Sequence, residues 1–156
     1  MLGEYLSRGP ADKYPFNAQV LEEYVKLFDM RDKTFVEALR AFLKEFRLPG
    51  EAQCIDRLME AFAGQQYEQG KGSGQHPFVN ADAAFTMAFS AIMLNTDLHN
   101  PQIQDHRRMT LDDFIRNNRH ARFRFLALPF FYELRHLPRE FLEDMYTSIK
   151  ENEIQV

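Results

Sequence analysis

Apolar residues recur at helical spacing along most of this chain, and this pattern limits the possible fold more than any other feature. In the segment 35–46 they stand at positions i, i+1, i+4, i+7, i+8 and i+11, which places them on one face of an α-helix. The same period is found in 20–28, 55–62, 111–115 and 138–152. The sequence therefore predicts an all-α fold.

Proline, glycine and capping residues divide these helices. Pro49-Gly50 should end the helix that covers 35–46. We expect the next helix to end near Gly64, a usual position for a left-handed cap, and the polar, glycine-bearing stretch 65–77 to form a loop. Asn80 is a suitable N-cap for the helix that follows it. That helix is apolar almost all round, so it is either central or lends one face to a partner. Thr110, with Asp113 three residues later, predicts a capping-box-like start of a short helix, and Pro138 is expected in the first turn of the C-terminal helix.

Composition excludes several classes of protein. The chain has 156 residues, of which 45% are hydrophobic and 27% charged, so we expect one globular domain. A net charge of −4 argues against a nucleic-acid binder that relies on bulk charge. The single cysteine, Cys54, excludes an internal disulfide framework and fits a reducing compartment. No apolar run reaches the roughly 18 residues that a transmembrane helix needs, and the N-terminus does not resemble a secretory signal.

Two motifs could carry chemistry. In the first, Glu51 follows the Pro49-Gly50 corner and falls in the first turn of the next helix. The simple interpretation is that this acid complements the helix dipole. In the second, Asp97 and His99 follow the most apolar helix and could be two metal ligands. Because no second cluster of ligating residues accompanies them, capping and turn formation is the alternative.

The segment 120–136 is unusual because arginines precede a dense run of aromatic residues. It could be a buried hairpin or extra helix, a patch that binds a membrane or a partner, or a segment foreign to the fold. The sequence between His106 and Arg124 also contains six arginines but only two acidic residues. This basic stretch could meet an acidic partner or anionic lipid, or it could be an ordinary solvated helix face.

Four segments give the chain a family resemblance. FRLPGE lies within 35–62, MLNTDLHNP lies within 80–103, and MTLDDFIRNNR and LPREFLEDMYTSIKENEI follow in 109–119 and 137–154. Together they resemble the sec-seven domain, the exchange domain of the large, Golgi-type guanine nucleotide exchange factors of Arf GTPases. The resemblance implies that 1–156 is a single such domain that lacks the first family helices and carries an atypical aromatic-rich segment at 120–136.

The resemblance also implies a superhelical, orthogonal helix array with a hydrophobic groove that receives the switch regions of the GTPase. The family's glutamic finger, whose carboxylate approaches the Mg²⁺ and the β-phosphate of bound GDP, corresponds to Glu51. The family's groove and contact positions correspond to eight further residues of this chain. These are Arg47, Asp56, Phe85, Phe89, Ile92, Met93, Asn100 and Met109.

The function implied is promotion of GDP release from an Arf-family small GTPase. This exchange involves no covalent chemistry, and we expect no cofactor and no metal site. The expected partners are the GTPase and an anionic membrane surface, without nucleic acid, and the expected location is the cytoplasm with peripheral recruitment to Golgi membranes. The alternative is a non-catalytic module that binds Arf or lipid without exchange.

Brefeldin A inhibits some members of this family by wedging into the groove. Ser90, Asp97 and Met109 match the sensitive pattern, whereas Phe89 stands where sensitive members carry tyrosine. The sequence therefore leaves sensitivity to brefeldin A undecided.

Overall fold

The computed structural model describes residues 2–45, 47–71, 77–120 and 131–156. Helices and turns make up all the regular structure in these ranges, so the prediction of an all-α fold is confirmed. The described ranges contain seven α-helices, which are α1 (Leu2–Leu6), α2 (Pro15–Val25), α3 (Phe35–Lys44), α4 (Ala52–Gly70), α5 (Ala81–His99), α6 (Leu111–His120) and α7 (Arg139–Glu151). Short 3₁₀ helices are formed by Asp105–Arg107 and Phe131–His136.

The chain divides into two compact units, and the first comprises Met1–His76 with Gln155–Val156. Helix α4 is its centre and packs against α1, α2 and α3. A row of aromatic rings fills the space between α3 and α4. The Phe42 and Phe62 rings pack at a tilt of 40° with 5.3 Å between centroids, and Phe35 meets Phe62 edge-on at 5.7 Å. The apolar stripe of α3 predicted from the sequence is buried against these rings, although Phe46 lies outside the described residues.

The second unit comprises Pro77–Ile154. In it α7 packs against both α5 and α6, and the 3₁₀ helix Phe131–His136 packs against α5 and α6. A buried amide completes this packing, because the side chain of Asn95 donates to the carbonyl oxygen of Ile154 at 3.0 Å and accepts from its N–H at 2.7 Å. The residues that follow α7 are thereby fixed to α5.

Local capping explains where three helices begin. The Thr34 hydroxyl accepts from the N–H of Glu37, and the Glu37 carboxylate accepts from the N–H of Thr34, so α3 starts with a complete capping box. The Asn80 side chain accepts from the N–H of Ala83 at 2.8 Å, as the sequence predicts. The predicted pair Thr110 and Asp113 starts α6 in the same way as the α3 box.

Three predicted boundaries are wrong. Helix α2 ends at Val25, so Phe28 lies beyond the helix that the apolar period of 20–28 predicts. Helix α4 continues past Gly64 to Gly70, six residues beyond its predicted end. The first residues of the predicted loop therefore belong to the helix, and its residues 72–76 lie outside the described ranges. A helical glycine costs about 1 kcal/mol relative to alanine, but Phe62, Ala63 and Gln66 keep the face of α4 buried through this point. Helix α7 starts at Arg139, with Pro138 as its N-cap and not within the first turn.

Only part of the aromatic-rich segment can be described. Residues 121–130 lie outside the described ranges, and 131–136 form the 3₁₀ helix named above, with Leu134 buried. The three interpretations of this segment stay predictions. Among the helices that the structure describes, none combines the length and hydrophobicity needed to cross a bilayer.

Candidate functional site

Glu51 is exposed at the start of α4. It is the N-cap residue, with φ −89° and ψ 124°, one position earlier than the first-turn position predicted from the sequence. Its carboxylate caps none of the backbone N–H groups of the helix. Its recorded partner in the described part of the chain is the thiol of Cys54, 3.8 Å from Oε2. The carboxylate therefore lies at the favourable dipole end of α4 without a bond to its backbone, and most of its hydrogen-bonding capacity faces solvent.

A cavity of about 600 Å³ lies beside Glu51. Arg57, in the second turn of α4, lines this cavity. Its Nη1 donates to the carbonyl oxygen of Ser7 at 2.7 Å. Its guanidinium lies directly on Gly9, where an added Cβ would be 2.3 Å from Cζ. Arg57 thereby ties the turn after α1 to the start of α4. Sequence reasoning missed this residue, because no local pattern links position 57 to position 7.

Arg47 and Asp56 are both exposed and belong to the same unit as Glu51. Arg47 lies in the non-helical link between α3 and α4, and Asp56 lies on the second turn of α4. These three side chains place one positive and two negative charges around the start of α4.

The outer face of α5 carries the apolar residues predicted to line the groove. Phe85, Phe89, Ile92 and Met93 are half-buried, whereas the opposite face of α5 is buried in the second unit. Their spacing puts them in one row along the helix. The rings of Phe85 and Phe89 meet edge-on with centroids 5.0 Å apart. We call these four residues the α5 stripe. One face of α5 is core, which confirms that this helix is central. The other face is a partly open apolar row, and the alternative that α5 lends this face to a partner stays a prediction.

Asn100 and Met109 lie beyond the C-terminal end of α5. Asn100 is the C-cap residue, and its side-chain oxygen accepts from the N–H of Gln102 at 2.9 Å. The N–H of Met109 donates to Asp97 at 2.5 Å, and its carbonyl oxygen accepts from the hydroxyl of Tyr146 at 2.9 Å. Burial raises the pKa of Tyr146, and the nearby carboxylates add to the shift. The backbone of Met109 is therefore held from α5 and from α7.

Arg108 was also missed by sequence reasoning, which counted it with the exposed basic stretch. Its side chain is only 21% exposed. Nη1 donates to the carbonyl oxygens of Asp97 and Leu98 at 2.8 and 2.6 Å, and Nη2 donates to that of Asn100 at 3.1 Å. A basic residue soon after a helix end was the available signal.

Asp97 and His99 are used as structural ties. Asp97 receives the N–H of Met109, and Nε2 of His99 lies 2.6 Å from the carbonyl oxygen of Ile149, to which it must donate. No cluster of three potential metal-ligating residues occurs within the described ranges. Asp97 and His99 lie in the last turn of α5, and both bond to the backbone of distant segments, so they act as tertiary ties and do not cap the helix. Ser90 is buried, and its hydroxyl donates to Asn118 at 2.7 Å.

The predicted site residues thus form two sets, each within its own unit. Glu51, Arg47 and Asp56 surround the start of α4, while the α5 stripe is continued by Asn100 and Met109 at the helix end. Both sets are accessible enough to meet a partner.

Comparison with known proteins identifies the family. The chain is 43% identical over 155 residues to the human Brefeldin A-inhibited guanine nucleotide-exchange protein 1, covering 99% of this chain and 7% of that protein. It is 42% identical over 156 residues to the Brefeldin A-inhibited guanine nucleotide-exchange protein 4 of Arabidopsis thaliana, covering 100% of this chain and 8% of that protein. The chain therefore spans only a small part of the length of these relatives.

A solved structure of ARF1-GDP bound to a Sec7 domain with brefeldin A is also similar. It superposes with a TM-score of 0.75 and 38% identity, covering 99% of this chain and 67% of that one. The family model described as Sec7 domain matches residues 1–154. Because this match covers nearly the whole sequence, the chain belongs to the Sec7 domain family.

Proposed function

We propose that this chain acts as a single exchange domain that promotes GDP release from an Arf-type small GTPase, with Glu51 as its glutamic finger. The exchange-factor names of its relatives and the similarity to a Sec7 domain bound to ARF1-GDP support the partner. The observation that carries the role of Glu51 is its exposed carboxylate, which caps no backbone N–H at a position where capping would stabilise the helix. An acid that contributes so little to the fold is available to act on a partner.

The chemistry is electrostatic. A carboxylate inserted beside GDP would compete with the β-phosphate for the Mg²⁺ and for the phosphate-binding lysine of the GTPase, and it would repel the phosphate itself. Charges interact far more strongly in a partly desolvated interface than in water. One well-placed anion can therefore loosen a tightly bound nucleotide, and the chain needs no cofactor and forms no covalent intermediate.

The second set of residues would provide recognition. The α5 stripe offers half-buried apolar side chains that can cover the apolar switch residues of the GTPase, and aromatic residues in such positions often dominate binding energy. Asn100 offers an amide for polar groups, and Met109 extends the apolar surface. Arg47 and Asp56 add exposed charges near the start of α4, where they would favour the correct orientation of the partner.

The sequence resemblance extends this proposal to a cytoplasmic domain that is recruited peripherally to Golgi membranes. An anionic membrane surface could attract the basic stretch that ends at Arg124. The alternative function is a non-catalytic module that binds Arf or lipid without exchange. The two functions differ in whether the chain accelerates nucleotide release.

A nucleotide-release assay tests the proposal. An Arf that lacks its N-terminal helix is loaded with fluorescent GDP, and release is followed after addition of the wild-type chain, Glu51→Lys or Glu60→Lys. We expect the wild type to accelerate release and Glu51→Lys to lose on the order of 10²-fold or more, since each 1.36 kcal/mol of transition-state stabilisation is a factor of ten. Glu60 is also exposed on α4 and serves as the matched charge-reversal control.

Folding must be monitored in the same samples. Glu51→Lys forfeits a dipole interaction of about 0.3–1 kcal/mol and adds an unfavourable charge of similar size, so circular dichroism should show a folded helical protein. If Glu51→Lys released GDP at near wild-type rates, Glu51 would be only a helix-start acid. If the wild type bound Arf without accelerating release, the non-catalytic alternative would be correct.

A further inference from the structure

The guanidinium of Arg108 donates hydrogen bonds to several backbone carbonyl oxygens at the end of α5. Besides the three carbonyl oxygens of Asp97, Leu98 and Asn100, it contacts the Asp105 carboxylate, with Nε 3.1 Å from Oδ1. All three N–H-bearing nitrogens of its planar head are therefore engaged. This arrangement is a clamp that joins the last turn of α5 to the segment that leads into α6.

The partners of Arg108 explain why an arginine suits this position. The carbonyl groups in the last turn of a helix have no N–H partner within the helix, and they form the negative end of the helix dipole. A guanidinium satisfies several of them at once because its five N–H donors have a fixed geometry. Lysine has the same charge but is a point donor on a flexible stem, so it can replace only part of this clamp.

The clamp lies between two residues of the proposed recognition set. On one side, Arg108 holds the carbonyl oxygen of Asn100, whose side chain is turned toward the N–H of Gln102. On the other side, Arg108 immediately precedes Met109, whose N–H and carbonyl oxygen are bonded to Asp97 and Tyr146. A displacement of Arg108 would therefore change the backbone position of Asn100 and Met109 together.

We propose that Arg108 is a positioning residue that holds Asn100 and Met109 in the geometry needed to contact the GTPase. This inference rests on the proposed exchange function, and it assigns to Arg108 no contact of its own with the partner. The neighbouring Arg107 has the same chemistry but is exposed. The pair therefore separates the effect of the clamp from the effect of positive charge in this segment.

The first experiment measures GDP release as a function of GTPase concentration for the wild type, Arg108→Met, Arg108→Lys and Arg107→Met. All are assayed at a temperature where circular dichroism shows each variant to be fully folded. Misplacing a binding group by about 1 Å can cost up to 10²-fold, and we expect Arg108→Met to raise KM on the order of tenfold with a smaller change in kcat. Arg108→Lys should recover part of this loss, and Arg107→Met should stay within about twofold of the wild type.

If Arg108 contributed only to global stability, the expected results would differ. Arg108→Met would then melt at a lower temperature but keep the wild-type KM when folded, and that result would overturn the proposal. If Arg108→Met does not fold, Arg108→Lys decides the question, since a wild-type KM in this variant would show that the clamp is dispensable for recognition.

Amide hydrogen exchange of residues 98–109 provides an independent readout. We expect faster exchange in Arg108→Met and Arg108→Lys than in Arg107→Met, with α3 and α4 unchanged. If the wild type releases no GDP, the proposed function fails, and this readout still decides whether Arg108 positions the segment. Equal exchange in Arg108→Met and Arg107→Met would refute the clamp.

Discussion

At the start of α4, the Glu51 carboxylate caps no N–H group, whereas beyond the end of α5 the polar groups around Asn100 and Met109 are bonded to one another. We call the first place the finger region, and we call the second place, together with the α5 stripe, the recognition region. The finger region leaves its anion to solvent and to a partner. In the recognition region, Arg108 holds the carbonyl oxygens of Leu98 and Asn100.

The difference follows from what each region would have to do. A carboxylate that must reach a phosphate and a metal ion cannot also be committed to a strong bond within its own chain. A recognition surface must instead be rigid, because ordering it at the moment of binding would reduce affinity. The helix start at Glu51 forgoes a capping bond worth about 1 kcal/mol, as expected where function competes with stability.

The largest effect that would sharpen this comparison is predicted for Phe89→Asp. A charge placed in the α5 stripe would be desolvated on binding, and losing an aromatic hot spot costs at least about 2 kcal/mol, so we expect the affinity for the GTPase to fall on the order of 30-fold or more. Titration calorimetry or surface plasmon resonance with nucleotide-free Arf measures it. Because Phe89 is partly buried and packs edge-on against Phe85, the melting temperature should also fall, so affinity is compared at a temperature where circular dichroism shows both proteins folded.

The matched control for this change is Phe16→Asp. Phe16 is 65% exposed on α2, outside both regions, and we expect wild-type affinity. Equal losses in the two variants would show that the α5 stripe is not a specific recognition surface, and the contrast between the regions would disappear.

A smaller effect, on both the free energy of unfolding and the exchange rate, is predicted for Glu51→Asp. Aspartate is a much better N-cap than a longer side chain, and a capping bond contributes about 0.5–1 kcal/mol, so the free energy of unfolding should rise by up to this amount. Exchange should fall about tenfold, a loss of 1.36 kcal/mol in transition-state stabilisation, because the shorter carboxylate folds back on the helix start. Urea denaturation measures the change in the free energy of unfolding, and the release assay measures the change in exchange rate. Full activity together with increased stability would contradict the idea that the exposed carboxylate has been kept for function.

The smallest effect concerns acid stability in the two units. Arg31 holds the pKa of Asp29 in the first unit at about 2, and the hydroxyl and backbone of Thr110 lower the pKa of Asp113 in the second. A carboxyl whose pKa is depressed in the folded state stabilises it above its ordinary pKa of 3.8, and this contribution is lost as the pH falls through the folded-state pKa.

We therefore expect the free energy of unfolding to decrease between about pH 5 and pH 2, and the decrease to be shallower in Asp29→Asn and in Asp113→Asn. The side chain of Asp29 is exposed and that of Asp113 is partly exposed, so solvent screens both and each change should be small. Urea denaturation at a series of pH values measures the slopes. An unchanged slope in both variants would mean that acid sensitivity arises elsewhere in the chain.

Local patterns determined much of this structure. The apolar period predicts α3, because apolar residues at this spacing lie on one face of a helix and that face is buried in a folded domain. Asn80 and the pair Thr110 and Asp113 predict two helix starts because their capping bonds lie within three residues along the chain. The motifs around Glu51 and Asn100 indicate the family, although sequence alone does not test the roles assigned to those residues.

Other features depend on residues that lie far apart in the sequence. Helix α4 passes Gly64 because burial outweighs the intrinsic preference of one glycine, and the sequence does not reveal that burial. Arg57 reaches Ser7 across 50 positions, and Asn95 reaches Ile154 across 59. Such bonds leave no periodic signal, since each depends on the packing of whole helices. The sequence thus determined six of the seven described α-helices, with α1 missed, and where the candidate carboxylate stands. Only the tertiary structure decided which polar side chains fix the backbone around the site.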